Sequence, residues 1–470
     1  MAWLTIDRSQ KIPLIRQIYK QLRTKILNGE LPAGYRLPST RQLAEELEVS
    51  RNVVLEAYEQ LLAEGFIEGR QGAGTFVAAG AYLKKAEIIF PFLLENNYQL
   101  KDDDIIDFRS GLPALDLFPR KQWGNLAKRI SIETDHLIFG YGSPEGRVEL
   151  RTVLADYLLR TRGVECQPDQ LIITSGATQA FTLVSKLLLS QNKKVILEDP
   201  ITHEIQTIFQ SYGGSLCPIK VDEHGIDTNQ LPQDVNPAFG FVTPSHQFPM
   251  GSTLPIQRRI RLIEYARKMD CYIVEDDYDS EFRYESPPIS SLQGLDPERT
   301  IYIGTFSKIL SPALRLGYLI LPPTLIKRCR ELKYFSDLHA PSLDQLTLAL
   351  FIKEGYLEKH VFRMKKVYRK RRDFLKECLH NEFGNSIKIH GDSTGLHLVA
   401  EFEGVHFTDN LLSHIHDNGI KVYPVELHTM NKGLYPNYLI LGFGHLEEDK
   451  IKDGITLLKR ALEKTHKKWN

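Results

Sequence analysis

The run Ile301-Tyr-Ile-Gly-Thr-Phe-Ser-Lys308 is a short apolar segment that ends on a lysine. Upstream, Ile273-Val-Glu-Asp-Asp-Tyr278 ends a similar segment on two carboxylates and a tyrosine, and Arg315 lies seven residues after the lysine. A lysine at one strand exit, a carboxylate at another and a nearby arginine can hold pyridoxal 5'-phosphate (PLP) by aldehyde, ring nitrogen and phosphate. Lys308 would form the Schiff base, for which its amine needs a lowered pKa. Asp276 would keep the pyridine nitrogen protonated, so that the ring draws electrons. Tyr278, two residues on in an extended chain, points to the same side and can hydrogen-bond the phenolic oxygen.

Outward from these segments, Leu171-Ile-Ile-Thr174, Val195-Ile-Leu197, Phe239-Gly-Phe-Val242, Tyr272-Ile-Val274 and Tyr318-Leu-Ile-Leu321 also read as buried strands. Helical stretches such as Thr182 to Leu189 and Ile256 to Met269 fall between most of them, which predicts an α/β fold with a mostly parallel sheet. Chemistry in such sheets gathers beyond the carboxyl ends of the strands, where the candidate residues fall. Ser175, Gly176, Ala177 and Thr178 follow a strand and open a helix, so their amides and hydroxyls can cradle a phosphate. Arg315 would neutralise it, with Thr305 or Ser307 adding a hydroxyl. Taken singly these signals are weak: Asp276-Asp277 could cap a helix and Ser175-Gly176 could be a plain turn. Their order and strand context carry the weight.

The first eighty residues read differently. Leu14, Ile15, Ile18, Leu22 and Ile26 recur at helical spacing before an Asn28-Gly29 stop. Ser39-Thr-Arg-Gln42 has the form of a capping box opening a short second helix, with Leu43, Ala44 and Leu47 facing inward. Ser50 caps a third, whose buried stripe is Val54, Ala57, Tyr58, Leu61 and Leu62. Two helices joined at Glu48-Val49 make a helix-turn-helix. Phe66 to Val77, two apolar segments around a glycine-rich turn, suit a β-hairpin wing. Glu45, Glu46, Glu48, Glu56 and Glu59 would repel DNA, so its cations must be segregated onto one face.

At 470 residues the chain exceeds one ordinary core, and three regions are expected: 1–80, a connector 81–105 and 106–470. Fully extended, the stretch from 78 to about 105 could reach roughly 90 Å, at about 3.3 Å per residue. That is long enough to place the first region on a neighbouring subunit, although its apolar middle, Ile88 to Leu94, suits packing on the large domain. The five scattered cysteines, with no Cys-x-x-Cys pair, suit reduced thiols in a cytoplasmic protein. No metal site is expected, and no apolar run approaches the roughly 18 residues of a membrane span. The basic run Lys365 to Arg372 lies on a long predicted helix, where a solvated face is the default reading and contacts to DNA phosphates the alternative.

Leu37-Pro-Ser-Thr-Arg-Gln-Leu-Ala44, Val49-Ser-Arg51 and Gly72-Ala-Gly-Thr-Phe-Val77 resemble the GntR-type winged helix. By position, the resemblance implies that Arg36, Arg41 and Arg51 contact phosphates and base edges of double-stranded operator DNA, flanked by Ser39, Thr40, Ser50 and Asn52. Gly72 and Gly74 would let the wing approach the minor groove. From about Asp107 to Lys459, including Thr243-Pro-Ser-His-Gln-Phe-Pro-Met-Gly251 and Glu275-Asp-Asp-Tyr-Asp-Ser-Glu-Phe282, the chain resembles the fold-type-I aminotransferases. It would have a large domain around the sheet and a small C-terminal α+β domain. The whole chain resembles the MocR/GabR family of transcription regulators.

That resemblance implies a homodimer, with winged helices exchanged across it, in which Tyr141 reaches the phosphate of the neighbouring subunit's cofactor. The chain departs from the enzymes in three places. Phe248 stands where an asparagine helps hold the phenolic oxygen, leaving His246 or Gln247 as the nearest polar replacement. Ile201-Thr-His203 stands where an aromatic residue commonly stacks on the cofactor, so that His203 is either the stacking residue or a surface histidine. Between Arg372 and Arg460 there is no arginine to clamp a substrate carboxylate, and Tyr435 to Gly444 offers only aromatics, an amide and backbone. A carboxylate would have to use His428, Lys432 or a residue from elsewhere. The expected function is a PLP-dependent regulator that senses PLP itself, as in the branch controlling vitamin B6 synthesis, without sustained catalysis. Two alternatives are a regulator sensing an amino compound through PLP, such as a γ-amino acid or a peptide, and an active aminotransferase with an accessory DNA domain.

Overall fold

A computed structural model of the chain describes residues 4–82, 105–191, 193–285 and 287–463. Two compact units divide it, Met1–Leu100 and Lys101–Asn470. Most of the expected connector, residues 83–104, lies outside the described residues.

In the first unit, α1 (Leu14–Leu27) buries Ile18, Leu22 and Ile26, one face of a helix at four-residue spacing. Helix α2 (Thr40–Glu46) starts at Ser39, whose Oγ accepts the Gln42 amide at 3.2 Å. Helix α3 (Arg51–Ala63) follows a turn in which Glu48 takes a left-handed φ of 52°. Ser50 sits at its N-cap position with extended backbone, but its side chain makes no capping bond. Leu62, expected in the buried stripe, is exposed, because Leu61 and Tyr58 already fill the side facing α1 and α2. Strands β1 (Ile67–Arg70) and β2 (Gly74–Val77) pair antiparallel from Ile67↔Val77 to Arg70↔Gly74. They form the expected hairpin, and Ile67 and Val77 plug it into the helical core.

The second unit begins with β3 (Ile106–Asp107), α4 (Arg120–Glu133) and α5 (Val148–Arg162). Its main sheet holds β4 (Leu171–Thr174), β5 (Lys194–Asp199), β6 (Ser215–Asp222), β7 (Gly225–Ile226), β8 (Pro237–Val242), β9 (Tyr272–Asp277), β10 (Thr300–Thr305) and β11 (Gly317–Ile320). Their order is β4-β11-β10-β9-β8-β5-β6-β7. Only β11 and the edge strand β7 run against the rest. Side-chain parity divides the core. Ile172, Leu197, Phe241 and Val274 face α6 (Ala177–Leu188) and α7 (His203–Ser211), while Leu171, Ile173 and Tyr302 face α5. On that second side Ile196, Val242 and Ile273 are covered by α8 (Ile256–Lys268). Both faces are therefore apolar, as expected for a sheet with helices on each side.

Helices α9 (Pro323–Asp337), α10 (Ser342–Lys353) and α11 (Tyr356–Phe383) lead to a smaller layer of β12 (Ile387–His390), β13 (His397–Phe402), α12 (Asp409–Asp417), β14 (Ile420–Lys421), β15 (Tyr423–Pro424), β16 (Tyr438–Gly442) and α13 (Glu448–Glu463). Its sheet is antiparallel, in the order β12-β13-β16-β15, and packs on α11 and α13 through Leu375, Leu398, Leu441 and Leu458. Separately, β14 pairs in parallel with β3, setting Lys421 opposite Asp107. The basic run on α11 is not a solvated face throughout. Arg371 and Arg372 are buried, with Arg371 donating to the Gly444 carbonyl at 2.5 Å and Arg372 pairing with Glu285 at 2.8 Å.

Candidate functional site

Strands β4, β5, β8, β9 and β10 all end on one side, and β11 begins there because it runs in reverse. That topology carries Lys308 and Arg315 to the same rim as Asp276. A cavity of about 610 Å³ opens at this rim, lined by Lys308, Asp276, Tyr278, Thr305, Ser307, Arg315, Ala177 and Thr178 among others. Its size falls in the roughly 300–1,000 Å³ range of small-ligand sites.

The charges are poised by burial. Desolvation lowers the pKa of Lys308, opposed by Asp279, Asp276 and Glu204, so the amine is pushed toward its nucleophilic neutral form. Asp276 is raised well above the ordinary carboxylate range, first by burial, then by the neighbouring Asp277 and Asp279. Its Oδ1 is buried without a hydrogen-bond partner. A pyridinium N–H would supply both the missing donor and the missing positive charge. Gly176, at φ 81°, lets the Arg315 guanidinium lie across the start of α6, where a Cβ would come within 2.8 Å of Nη2. Arg315 Nη2 donates to the Ser175 carbonyl at 2.7 Å. The residues present therefore fit PLP at its ring nitrogen, aldehyde and phosphate positions.

Other candidates stand elsewhere. Ser175 lies outside the cavity lining; its amide donates to Gln179 Oε1 at 2.8 Å and its Oγ is 3.5 Å from Asp337. His246 also lies behind the cavity wall, fully buried. Its Nδ1 is 2.9 Å from Asp279 Oδ1 and 3.0 Å from the Tyr278 hydroxyl, so it supports Tyr278 from behind and does not face the cavity. Gln247 is turned inward as well, donating to the Pro200 carbonyl at 2.8 Å. Of the two readings of His203, the surface one fits: it is exposed, outside the cavity lining and bonded to Thr207 at 3.1 Å. Tyr141 is 88% exposed and outside the cavity.

Sequence reasoning missed His397, Arg109 and Lys421, which also line the cavity. They come from segments about three hundred residues apart, just after β3 on one side and in β13 and β14 on the other, and no local pattern marks them. His428 does line it, with a pKa pushed down to about 4 chiefly by burial, whereas Lys432 is exposed and donates to the Glu426 carbonyl at 2.8 Å. The stretch Tyr435 to Gly444 contributes Tyr435 and Ile440 to an apolar cluster with Phe248 and Tyr423.

In the first unit, Ser39, Arg41, Ser50, Arg51 and Asn52 are exposed around the start of α3, with Thr40 half-buried beneath Arg51 at 3.4 Å. Arg36 is not on the recognition helix. It bridges to Phe76 of the wing and lies against Gly74, whose added Cβ would sit 3.2 Å from its Nε. Gly72, φ 75°, is at the open wing tip. The separation of charge is partial, since Arg41 pairs with Glu45 at 3.4 Å. Glu56 and Glu59 lie five and eight residues beyond Arg51, about 7.5 and 12 Å along the axis at ~1.5 Å per residue, away from the end that enters a groove.

Residues 14–77 match the family of bacterial regulatory proteins, gntR family, and residues 103–429 match aminotransferase class I and II. The chain is 33% identical to the probable rhizopine catabolism regulatory protein MocR of Rhizobium meliloti, over 98% of this chain and 96% of that protein. It is 29% identical to the HTH-type pyridoxine biosynthesis transcriptional regulator PdxR of Corynebacterium glutamicum, with 93% of each covered. Among solved structures it is similar to LysN, the α-aminoadipate aminotransferase of Thermus thermophilus, complexed with N-(5'-phosphopyridoxyl)-L-leucine. The TM-score is 0.71, at 28% identity over 77% of this chain and 92% of that one.

A helix-turn-helix with a wing, followed by an aminotransferase fold whose cavity fits PLP, defines a DNA-binding transcription regulator with a PLP-type domain. The chain belongs to the MocR family of HTH-type regulators.

Proposed function

We propose that the protein is a cytoplasmic, homodimeric regulator whose operator affinity depends on PLP in the cavity of the second unit. The observation that carries this reading is the meeting of Lys308, Asp276 and Arg315 in one cavity, with Asp276 Oδ1 left unpartnered. Bound there, PLP supplies an electrophilic aldehyde and an electron-withdrawing ring. Lys308 would hold the aldehyde carbon, the Asp276 carboxylate would accept the ring N–H, and Arg315 with the α6 amides of Ala177 and Thr178 would take the phosphate. Tyr278, braced by His246, would serve the phenolic oxygen.

The homodimer is supported by Ile132, Leu137, Phe139 and Tyr141, which are 70%, 72%, 63% and 88% exposed in one short segment. Such a concentration of exposed apolar surface suits a subunit interface, and from it Tyr141 would reach a neighbour's phosphate. Exchange of winged helices across the dimer rests on the family resemblance and the connector's length. For PLP to act as a signal, it must bind one arrangement of the dimer better than another.

PLP as the sensed molecule is supported by the similarity to PdxR and by the absence of any arginine between Arg372 and Arg460. A second reading, an amino compound sensed through PLP, is favoured by the cations Arg109 and Lys421 in the cavity, which the cofactor's own groups do not use. Sustained aminotransferase activity would need steady turnover of an amino donor and a keto acid. The test is to follow operator binding by fluorescence anisotropy while PLP alone, then amines, are added and the visible spectrum is read. A shift in affinity with PLP alone supports PLP sensing; a shift that appears only with an amine supports the second reading. No shift under either condition removes the regulatory role of the cavity.

A further inference from the structure

The pairing of β3 with β14 gathers a charged cluster at the cavity wall that the cofactor assignments leave unused. Lys421 stands opposite Asp107 in the parallel register. Arg109 and Tyr423 each follow by two residues, so extended backbone turns all four side chains to one face. The contacts agree: the Tyr423 hydroxyl donates to Asp107 Oδ2 at 3.3 Å and accepts from Arg109 Nε at 3.4 Å. Arg109 Nη2 is 3.4 Å from the same Asp107 oxygen, and Lys421 Nζ lies 5.8 Å from the Tyr423 ring centre. Arg109, Lys421 and Tyr423 line the cavity, and Asp107 does not. Asp107 thus pairs with Arg109, while Lys421 lies over the Tyr423 ring, so this wall brings two cations and one carboxylate together and carries a net positive charge.

The cluster is also close to the reactive amine. Gly111 packs on Lys308 so tightly that an added Cβ would come within 2.7 Å of Nζ. Arg109 is two residues from Gly111, within about 7 Å between Cα atoms at roughly 3.3–3.6 Å per residue. Phe248 and Tyr423, which both belong to the apolar cluster around Ile440, line the cavity as well.

We propose that Arg109 and Lys421 form the acceptor for a carboxylate, so that the ligand of the PLP-loaded cavity is an amino acid with its amine toward Lys308 and its acid group toward the β3–β14 wall. This rests on the reading that the cavity holds PLP. Where the chain has no arginine between Arg372 and Arg460, the arrangement offers a fork two residues beyond β3 and a point charge from β14, and guanidinium supplies the bidentate geometry that fits a carboxylate.

The test uses the full-length PLP-loaded protein and straight-chain ω-amino acids from β-alanine to 6-aminohexanoate, each against the alkylamine of equal length, with the visible spectrum of the bound cofactor as readout. At the best length the acid binds roughly ten- to a hundredfold more tightly than its amine, as expected for hydrogen bonds to a charged group. In Arg109→Gln, and further in the Arg109→Gln, Lys421→Gln double variant, that ratio falls toward one, while Arg109→Lys retains part of it. Because the ratio is taken within each variant, altered cofactor loading cancels. Equal binding of acids and amines, a ratio that survives the double variant, or a spectrum that no amino acid perturbs overturns the proposal while leaving PLP binding intact. Absence of any cofactor band overturns the PLP reading itself.

Discussion

Replacing Gly176 with alanine isolates the phosphate end of the cavity. Gly176 has φ 81° and ψ 173°, a region nearly closed to residues with a side chain, which costs about 1–3 kcal/mol. The new Cβ would lie 2.8 Å from Arg315 Nη2 and 3.1 Å from Cζ, so the guanidinium must move. Its 2.7 Å bond to the Ser175 carbonyl is then weakened, and its aim at the first turn of α6 is lost. Loss of one charge-assisted hydrogen bond to phosphate is worth about 1.5–3 kcal/mol, roughly a ten- to hundredfold drop in PLP affinity. Thermal unfolding of the apo protein reads the backbone term, and absorbance titration with PLP reads the phosphate term. Gly213→Ala is the control: its φ is 82°, but nothing lies within 4 Å of the added Cβ. That variant should lose stability and keep PLP affinity. Wild-type affinity in Gly176→Ala would refute the assignment of Arg315 to the phosphate.

Other outcomes follow from the same geometry. Arg162→Ala leaves Asp277 buried without its 2.7 Å partner and should cost about 3–5 kcal/mol in denaturant unfolding; a loss below about 1 kcal/mol would show that the Tyr302 hydroxyl, which donates to the same Asp277 oxygen, satisfies it alone. Burial pushes Glu198 up to about 7. Since the folded state holds this proton more tightly than the unfolded state, stability falls as pH rises from the unfolded value near 4.5 through 7, by up to about 1.4 kcal/mol per pH unit. Glu198→Gln should flatten that part of the stability profile, and an unchanged slope would count against the shift. Arg51→Ala should weaken operator binding by roughly 1–3 kcal/mol if it reads a base, without altering the cofactor spectrum. Unchanged affinity would move the recognition surface away from the start of α3.

The large-domain strands and the trio Lys308, Asp276 and Arg315 were legible because each is a local event: an apolar run that ends on a chemically distinct residue. Strand β6 was not. Ser215-Leu-Cys-Pro-Ile-Lys-Val-Asp222 lies near the sheet edge, is only partly buried and contains Pro218, so neither continuous apolarity nor clean alternation marks it. Nearness to Phe248 in the sequence offers His246 or Gln247 to the cofactor, but pairing with Asp279, 33 residues away, turns His246 inward and a bond to the Pro200 carbonyl does the same for Gln247. Arg109 and Lys421 had no sequence signal at all, since they meet only through the parallel pairing of β3 and β14. Leu62 shows the same limit in miniature, because a stripe at helical spacing says which side can be buried and not how wide the partner is.

The most direct test of the central claim is to load the protein with PLP, reduce it with borohydride and map the modified peptide by mass spectrometry. The account predicts one phosphopyridoxyl group per chain, on Lys308, with release of bound operator or a change in its affinity on the same PLP titration. Label on another lysine, or none while operator affinity still responds to PLP, would contradict it.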